Sequence, residues 1–551
     1  MRLLGERTIG RLEVFFEHIF LSGRRTMHFE PGHTVGIDLG TTFSAIAILD
    51  DEGKPRVIPN EDGDIETASV ILLADSGHVI VGPNRMRAAM EDPQNVIERI
   101  KRYMGMPDYR RTFDGREISP EFISALILKK LRQDAEKQIG KIGNAVITVP
   151  YYFNDARRKA TQDAGRIAGL NVVDIMNEPT AATLTYAYRE GILGNPEVRM
   201  DKPKKVLVYD LGGGTFDVTV VEYTPTQFRV LATDGDVQLG GVDWNDRLLD
   251  YVADTFKQRH GIDPRESPQM IQILWNDCDL AKIELSEKTE TVIHCRYEGR
   301  AVDVPITRDL FDSLTADLLQ RTADTTLLVL EEAKVRPEEL EAIVLVGGST
   351  LMPQVPQMIR RVLNREPYRG ISPHTAVAEG AAIHAAILEA KFRGEQSELA
   401  ERIRRRLQLV QQENVNSHGL GIVALDPKTG KTVNHIMIPR NSRIPIEVRR
   451  IFKTTKDNQE RITVQVLEGD APDPFACSLL GKCRITDLPP GLPKGSPVEV
   501  TYAFSAQGRV IVTARDKTSN REARIEIERR GVLRDEEVDA LSRLANEYKV
   551  D

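Results

Sequence analysis

The chain has 551 residues, 41% of them hydrophobic and 28% charged, which suits a soluble protein of more than one domain. Its net charge of −8 holds no basic excess, so nucleic-acid binding is not expected. Beyond residue 33 no apolar run reaches the length of a membrane helix. The scattered cysteines Cys278, Cys295, Cys477 and Cys483 fit a reducing cytoplasm better than a disulfide framework or a zinc site.

Residues 1–33 hold an apolar stretch at 15–21, interrupted by Glu17 and His18 and followed by Arg24 and Arg25. It is too short for a membrane span and lacks the small-residue cleavage site of a signal peptide. A start at Met27 would leave a short tail before the first strand. From 34 to 49 the pattern is a strand hairpin bent at 38–42, and strands follow at 70–73 and 78–81. A turn is expected at 75–77 and a helix at 91–104, carrying Lys101. The helix at 121–139 has Phe122, Ile123, Leu126, Ile127 and Leu131 on one period. A buried strand at 145–149 is stopped by Pro150. A helix at 155–168, a strand at 172–175 and a helix opened by Pro179 complete a first half.

A polar stretch at 191–205 leads into a second strand–turn–strand at 206–221. Helices at 245–259 and 269–285 follow, with Lys282 in the second and Ser286 just past its end. A core strand at 342–346 runs into Gly347-Gly-Ser-Thr350, and a small, apolar helix is expected at 376–391. Two similar strand-and-helix halves, each with a glycine turn, suggest two lobes around a cleft. Residues 394–416 are charged, with the basic run 402–406, and read as a solvated helix or connector. From 417 to 530 the periodicity shifts to two, as in a compact antiparallel β domain. An amphipathic helix at 534–548 ends the chain, with Val538, Leu541, Leu544 and Tyr548 on one face.

Chemistry concentrates in three glycine turns that each follow an apolar strand. They are Asp38-Leu-Gly40-Thr41-Thr42, Asp210-Leu-Gly-Gly-Gly-Thr-Phe-Asp217 and Gly347-Gly-Ser349. Glycine lets backbone amides approach an anion, and the flanking carboxylates suit the water shell of a divalent cation. No phosphate-loop signature G-x-x-x-x-G-K-[ST] is present. Taken singly, Lys101 reads as a solvated helix lysine and Glu178 as a helix N-terminal charge beside Pro179. Together with Asp38, Asp210 and Asp217 they could position and neutralise a phosphoanhydride during hydrolysis.

The strings Gly36-Ile-Asp-Leu-Gly-Thr-Thr42, Ala145-Val-Ile-Thr-Val-Pro150, Asn177-Glu-Pro-Thr-Ala-Ala182, the turn at 210–217 and Leu345-Val-Gly-Gly-Ser-Thr350 occur in that order. With them the chain resembles the 70-kDa heat-shock (DnaK-type) chaperones over about 34–550. The resemblance implies an α/β actin-like two-lobed ATPase domain, an antiparallel β-sandwich that binds extended peptides, and a short C-terminal helix. Their expected bounds are 34–393, 417–530 and 531–551, with a linker at 394–416. It implies ATP or ADP with Mg²⁺ and K⁺. Lys101, Glu178, Asp210 and Thr215 would be catalytic, and Asp38 and Asp217 would serve the metal ions. Gly40, Thr41, Thr42, Gly213, Gly214, Asp279, Lys282, Ser286, Gly347, Gly348 and Ser349 would contact nucleotide. Ile422, Leu425, Phe452, Thr455, Ile462 and Val464 would line the peptide cleft, and Pro150 and Arg157 would relay nucleotide state. Implied partners are unfolded or extended polypeptides, a J-domain co-chaperone and a nucleotide-exchange factor, with no nucleic acid or membrane.

The chain departs from that pattern in its basic linker and in the long loop at 424–431. It also has Asp174 where the family has an arginine, Asp279 where many members have Glu, and a lid cut to its opening helix. On periodicity alone Phe452, Ile462 and Val464 read as sandwich core. The expected function is an ATP-dependent chaperone that couples hydrolysis to peptide binding and release. The competing readings are a nucleotide-gated scaffold for one partner and a small-molecule kinase of the same superfold.

Overall fold

A computed structural model describes residues 28–74, 77–82, 95–106, 108–397, 399–426, 428–486, 488, 490–504, 510–526 and 533–551. The expected turn at 75–77 and the first part of the expected helix at 91–104 lie largely outside the described residues. Two compact units are present. The larger holds Phe29–Phe153, Arg157–Gln412 and Leu533–Asp551, and the smaller is centred on Glu413–Val532.

The larger unit is built twice on one plan. In the first lobe, His33–Asp38 pairs parallel with Ile142–Val149 and antiparallel with Phe43–Leu49, which pairs in turn with Pro55–Ile58. In the second lobe, Lys204–Leu211 pairs parallel with Leu340–Val346 and antiparallel with Phe216–Tyr223, which pairs with Gln227–Asp236. Each hairpin turns through one of the glycine turns. The strands are apolar nearly throughout because helices cover both faces. Each lobe has its own core, one around Val35, Ile37, Phe122 and Ile147, the other around Leu207, Tyr209, Val218 and Trp244.

Helix Ala376–Phe392 runs against helix Glu178–Arg189 with small side chains in contact. A Cβ on Gly380 would lie 1.9 Å from the carbonyl oxygen of Ala181, and one on Gly36 would lie 2.0 Å from the amide nitrogen of Ala382. Gly380→Ala must therefore part the two helices. The expected cost is about 1–3 kcal/mol, the range for overpacking a core. Equilibrium denaturation measures it, and an unchanged midpoint would contradict the close approach.

Three local expectations need correction. Lys101 sits in a 3₁₀ turn, Ile100–Tyr103, preceded by strand Val96–Ile97 and by Arg99 at φ 58°, which breaks any helix there. Ser286 lies inside helix Pro268–Glu287, not past its end. The linker is not simply solvated. Helix Glu401–Gln408 buries Leu407, Val410 is 0% exposed, and the Gln411 amide donates to Thr226 O at 2.7 Å. Gln408 Nε2 also donates to Ala390 O at 2.7 Å, and the Lys391 ammonium bonds Val410 O. Its charge hides an apolar edge that finds the second-lobe sheet and helix Ala376–Phe392.

The expected lid stub at 531–551 also behaves differently over its described part. Helix Asp535–Glu547 packs on helix Pro120–Ile139, and Val538, Ala545 and Tyr548 enter the first-lobe core. Tyr548 lies 5.7 Å from the Phe113 ring and 5.8 Å from Phe122. Lys129 Nζ donates to the carbonyls of Ala545 at 2.7 Å and Tyr548 at 2.9 Å, capping the end of this helix. Lys549–Val550 then pairs parallel with His78–Val81, completing a four-stranded sheet. The apolar helix face and the open strand edge offer each other the burial that neither has alone.

The smaller unit has two four-stranded antiparallel sheets. One runs Thr432–Ile438, Leu420–Leu425, Ile462–Glu468, Ser478–Ile485. The other runs Ile446–Lys453, Pro497–Phe504, Val510–Asp516, Glu522–Glu526. Ile422, Val464, Val500 and Val512 share one core between them, and Tyr502 Oη donates to Gly421 O at 2.6 Å. Among the described residues no helix is long and apolar enough to cross a membrane.

Candidate active site

The glycine turns of both lobes converge on one cavity of about 330 Å³. The hairpin plan dictates this, because in each lobe the turn leaves the same end of its parallel strand pair. A Cβ on Gly213 would lie 1.8 Å from Thr42 Oγ1, and one on Gly214 would lie 2.4 Å from Thr41 Cγ2. The turns thus meet backbone to side chain. Only glycine permits that approach, and it leaves a cradle lined by main chain.

Lys101 Nζ lies 2.5 Å from Glu178 Oε1, with both side chains almost fully buried. Asp210 and Asp217 are buried nearby and Asp38 is half-buried. Burial first, then the Glu178 charge, pushes Asp38 up to about 7. The same causes in the same order raise Asp210 and Asp217 well above the usual carboxylate range. Burial disfavours the Lys101 ammonium, yet Glu178, Asp38 and Asp210 outweigh it and hold its pKa above the ordinary lysine value. Three carboxylates, Asp38, Glu178 and Asp210, therefore face one ammonium, with Asp217 close behind them. That excess of negative charge suits a cation, and the main-chain cradle beside it suits a phosphate.

The cavity is lined by Asp38, Gly40, Thr41, Thr42, Lys101, Glu178, Asp210, Gly213 and Thr215, and also by Asp279, Lys282, Ser286, Gly347, Gly348 and Ser349. Asp279 is held by Asn245 Nδ2 at 2.8 Å and Lys282 Nζ at 2.9 Å, and Ser349 Oγ donates to Gly212 O at 3.0 Å. Two residues of the expected set stand behind the wall. Gly214 turns its carbonyl to Arg102 Nε at 2.9 Å. Asp217 accepts the amides of Tyr151 at 3.0 Å and Tyr152 at 3.3 Å, so it ties the second-lobe hairpin to the loop after Pro150. Arg157 follows one turn into the next helix, with its guanidinium 5.1 Å from the Phe153 ring.

Other residues at the site escaped sequence reading. Arg102 Nη2 pairs with Asp243 at 2.5 Å, pinning the glycine turn of the other lobe. Asn245, Trp275, Glu66 and His374 line the cavity. Only the Arg102 neighbour of Lys101 offered a local signal, since the rest are far apart in the chain. Asp174, where the family pattern has arginine, accepts from His384 Nε2 at 2.8 Å, while Gln412 Nε2 bonds His384 Nδ1 at 2.9 Å.

In the smaller unit, Ile422 (0%), Phe452 (0%), Ile462 (3%) and Val464 (1%) are core side chains. Leu425 is 37% exposed and Thr455 is half-buried, its amide held by Gln459 Oε1. Burial thus favours the sandwich-core reading of Phe452, Ile462 and Val464, and only Leu425 and Thr455 of the expected cleft set are open to solvent.

The family model described as Hsp70 protein matches residues 34–112 and 106–551. A chaperone protein DnaK of Thermosipho melanesiensis is 39% identical over 525 residues, covering 94% of this chain and 84% of that protein. Chaperone proteins DnaK of Thermotoga petrophila and Thermotoga maritima are each 40% identical over 529 residues, covering 94% of this chain and 83% of theirs.

Proposed function

This chain belongs to the Hsp70 family and is an ATP-hydrolysing molecular chaperone, and from that premise we propose how its own residues divide the work. The observation that carries the proposal is the buried Lys101–Glu178 pair beside Asp38 and Asp210, in a cavity walled by three glycine turns. Thr41 and Thr42 orient the terminal phosphates from one lobe while Gly213 and Gly214 supply main chain from the other. Lys101 faces the transferring phosphoryl and offsets charge as its bond loosens. Glu178, Asp210 and Thr215 align the attacking water. This division matches the general case, in which phosphoryl transfer is catalysed by positioning and charge neutralisation.

The carboxylate excess fits a magnesium ion, which Asp38 would hold through waters, and when bound it would neutralise charge on the phosphates. Asp217 supports that edge and carries its position to the Tyr151 amide, hence to Pro150 and Arg157. The same carboxylate edge is the place for potassium. Asp279, Lys282, Ser286, Gly347, Gly348 and Ser349 take the base and ribose. The partners are extended segments of unfolded polypeptides, with Leu425 and Thr455 at the accessible part of the β-sandwich groove. Four free thiols suit a reducing cytoplasm.

ATP turnover with and without an unfolded leucine-rich peptide tests the coupling. The peptide is expected to raise turnover, and ATP is expected to speed release of labelled peptide. A peptide off-rate indifferent to ATP would sink the coupling and leave the ATPase assignment standing.

A further inference from the structure

Glu66 and His374 meet at the mouth of the same cavity, and nothing in the hydrolytic mechanism uses them. His374 Nδ1 lies 3.0 Å from Glu66 Oε2. Glu66 belongs to the first lobe, one residue before strand Thr67–Ala68, which pairs with Phe43–Leu49. His374 belongs to the connection between the lobes. Its neighbour Pro373 accepts the Gly347 amide at 2.9 Å, and Tyr368 bridges to Val344 of the second-lobe sheet. One residue beyond Thr375 the chain enters helix Ala376–Phe392, which packs on the first-lobe sheet. The imidazole also lies over the nucleotide turn, since a Cβ on Gly348 would stand 3.0 Å from His374 Cε1.

We propose that Glu66 and His374 form an interlobe latch that holds the cleft closed over bound nucleotide and sets how long the nucleotide stays. This rests on the ATP-site reading above. The pair joins a first-lobe segment to the second-lobe turn that would grip the nucleotide. Opening the cleft far enough for release must therefore separate the two side chains. His374 is a positioning residue here, since it acts through the turn it covers.

The latch depends on pH in one direction. The hydrogen bond that His374 Nδ1 donates to Glu66 holds the imidazole pKa above its ordinary value of 6.5, against its partial burial. The charged pair is complete below that raised value and is lost as pH rises through it. From the nucleotide turn, Gly348 brings no charge to the ring. The other charged groups facing the cavity are Asp38, Lys101, Glu178 and Asp210 on the strand-and-turn side, and Asp279, Lys282 and Glu287 on helix Pro268–Glu287. None of these shifts the His374 titration, and Glu66 does.

The test is displacement of a fluorescent ADP analogue, followed by stopped flow from about pH 6 to about pH 9, on the full chain. The wild-type off-rate is expected to rise with pH by about twofold to fivefold, the scale of a half-exposed ion pair. Glu66→Gln and His374→Gln are each expected to show the fast rate at low pH and a flat profile. The double variant should be no faster than either single variant, because both remove one interaction. Additive single effects, or variants that keep the wild-type pH profile, would overturn the latch while the nucleotide site stands. Failure of the wild type to bind the analogue would overturn both.

Discussion

Replacing Lys101 with alanine is expected to slow ATP hydrolysis by about 10²–10³-fold, the usual cost of deleting one preorganised charge at a reacting centre. The site gives a specific reason for a large effect. Among the described residues Lys101 is the only ammonium set among Asp38, Glu178 and Asp210, and its pair with Glu178 at 2.5 Å is shut away from water. Without it the carboxylates repel one another and the incoming phosphates, and Glu178 loses the contact that aims it. Single-turnover hydrolysis after mixing with ATP separates this from binding. The rate constant should collapse, while nucleotide affinity moves less than the rate because the glycine turns remain. A variant that hydrolyses at the wild-type rate would refute the catalytic role.

The second large effect lies at the C-terminal segment. Tyr548→Ala removes an aromatic side chain wedged against Phe113 and Phe122 and only 4% exposed. Truncating a buried aromatic costs about 3–5 kcal/mol. Here the loss is capped by the docking free energy of 533–551, because beyond that cap the segment detaches and the rest of the lobe stays folded. The expected signature is local. Amide exchange should accelerate at Lys549, Asp551 and Val81 together, since the Lys549 amide bonds Gly77 O, the Asp551 amide bonds Val79 O and the Val81 amide bonds Asp551 O. Slow exchange at these amides in the variant would show that Tyr548 does not anchor the segment.

These two sites differ in how far the sequence revealed them. The glycine turns were legible because their demand is local: a turn that admits no Cβ is written in the residues that make it. Lys101 was legible only through its neighbours in the family pattern, and its helix was misread because Arg99 takes a left-handed conformation that no periodicity announces. Glu66 and His374 carried no signal, as their meeting depends on how the connection between lobes crosses the cleft. Leu407 and Val410 were hidden by the arginines beside them, since composition records charge more loudly than a narrow apolar edge. The alternating pattern of the smaller unit leaves Phe452, Ile462 and Val464 ambiguous between groove and core, and all three are buried. The face of the C-terminal helix was plain, with Val538 and Tyr548 in line, but a face does not name its partner.

The strand pairing of Lys549–Val550 with His78–Val81 also orders events during synthesis. His78 and Asp551 are 473 positions apart, with the whole β unit translated between them. Until that unit has emerged, the nascent first lobe shows an unpaired strand edge, and Lys129 lacks the two carbonyls it later caps. Contacts so distant in sequence form late. The sheet at the edge of the first lobe therefore gains its fourth strand only after the β unit has been made.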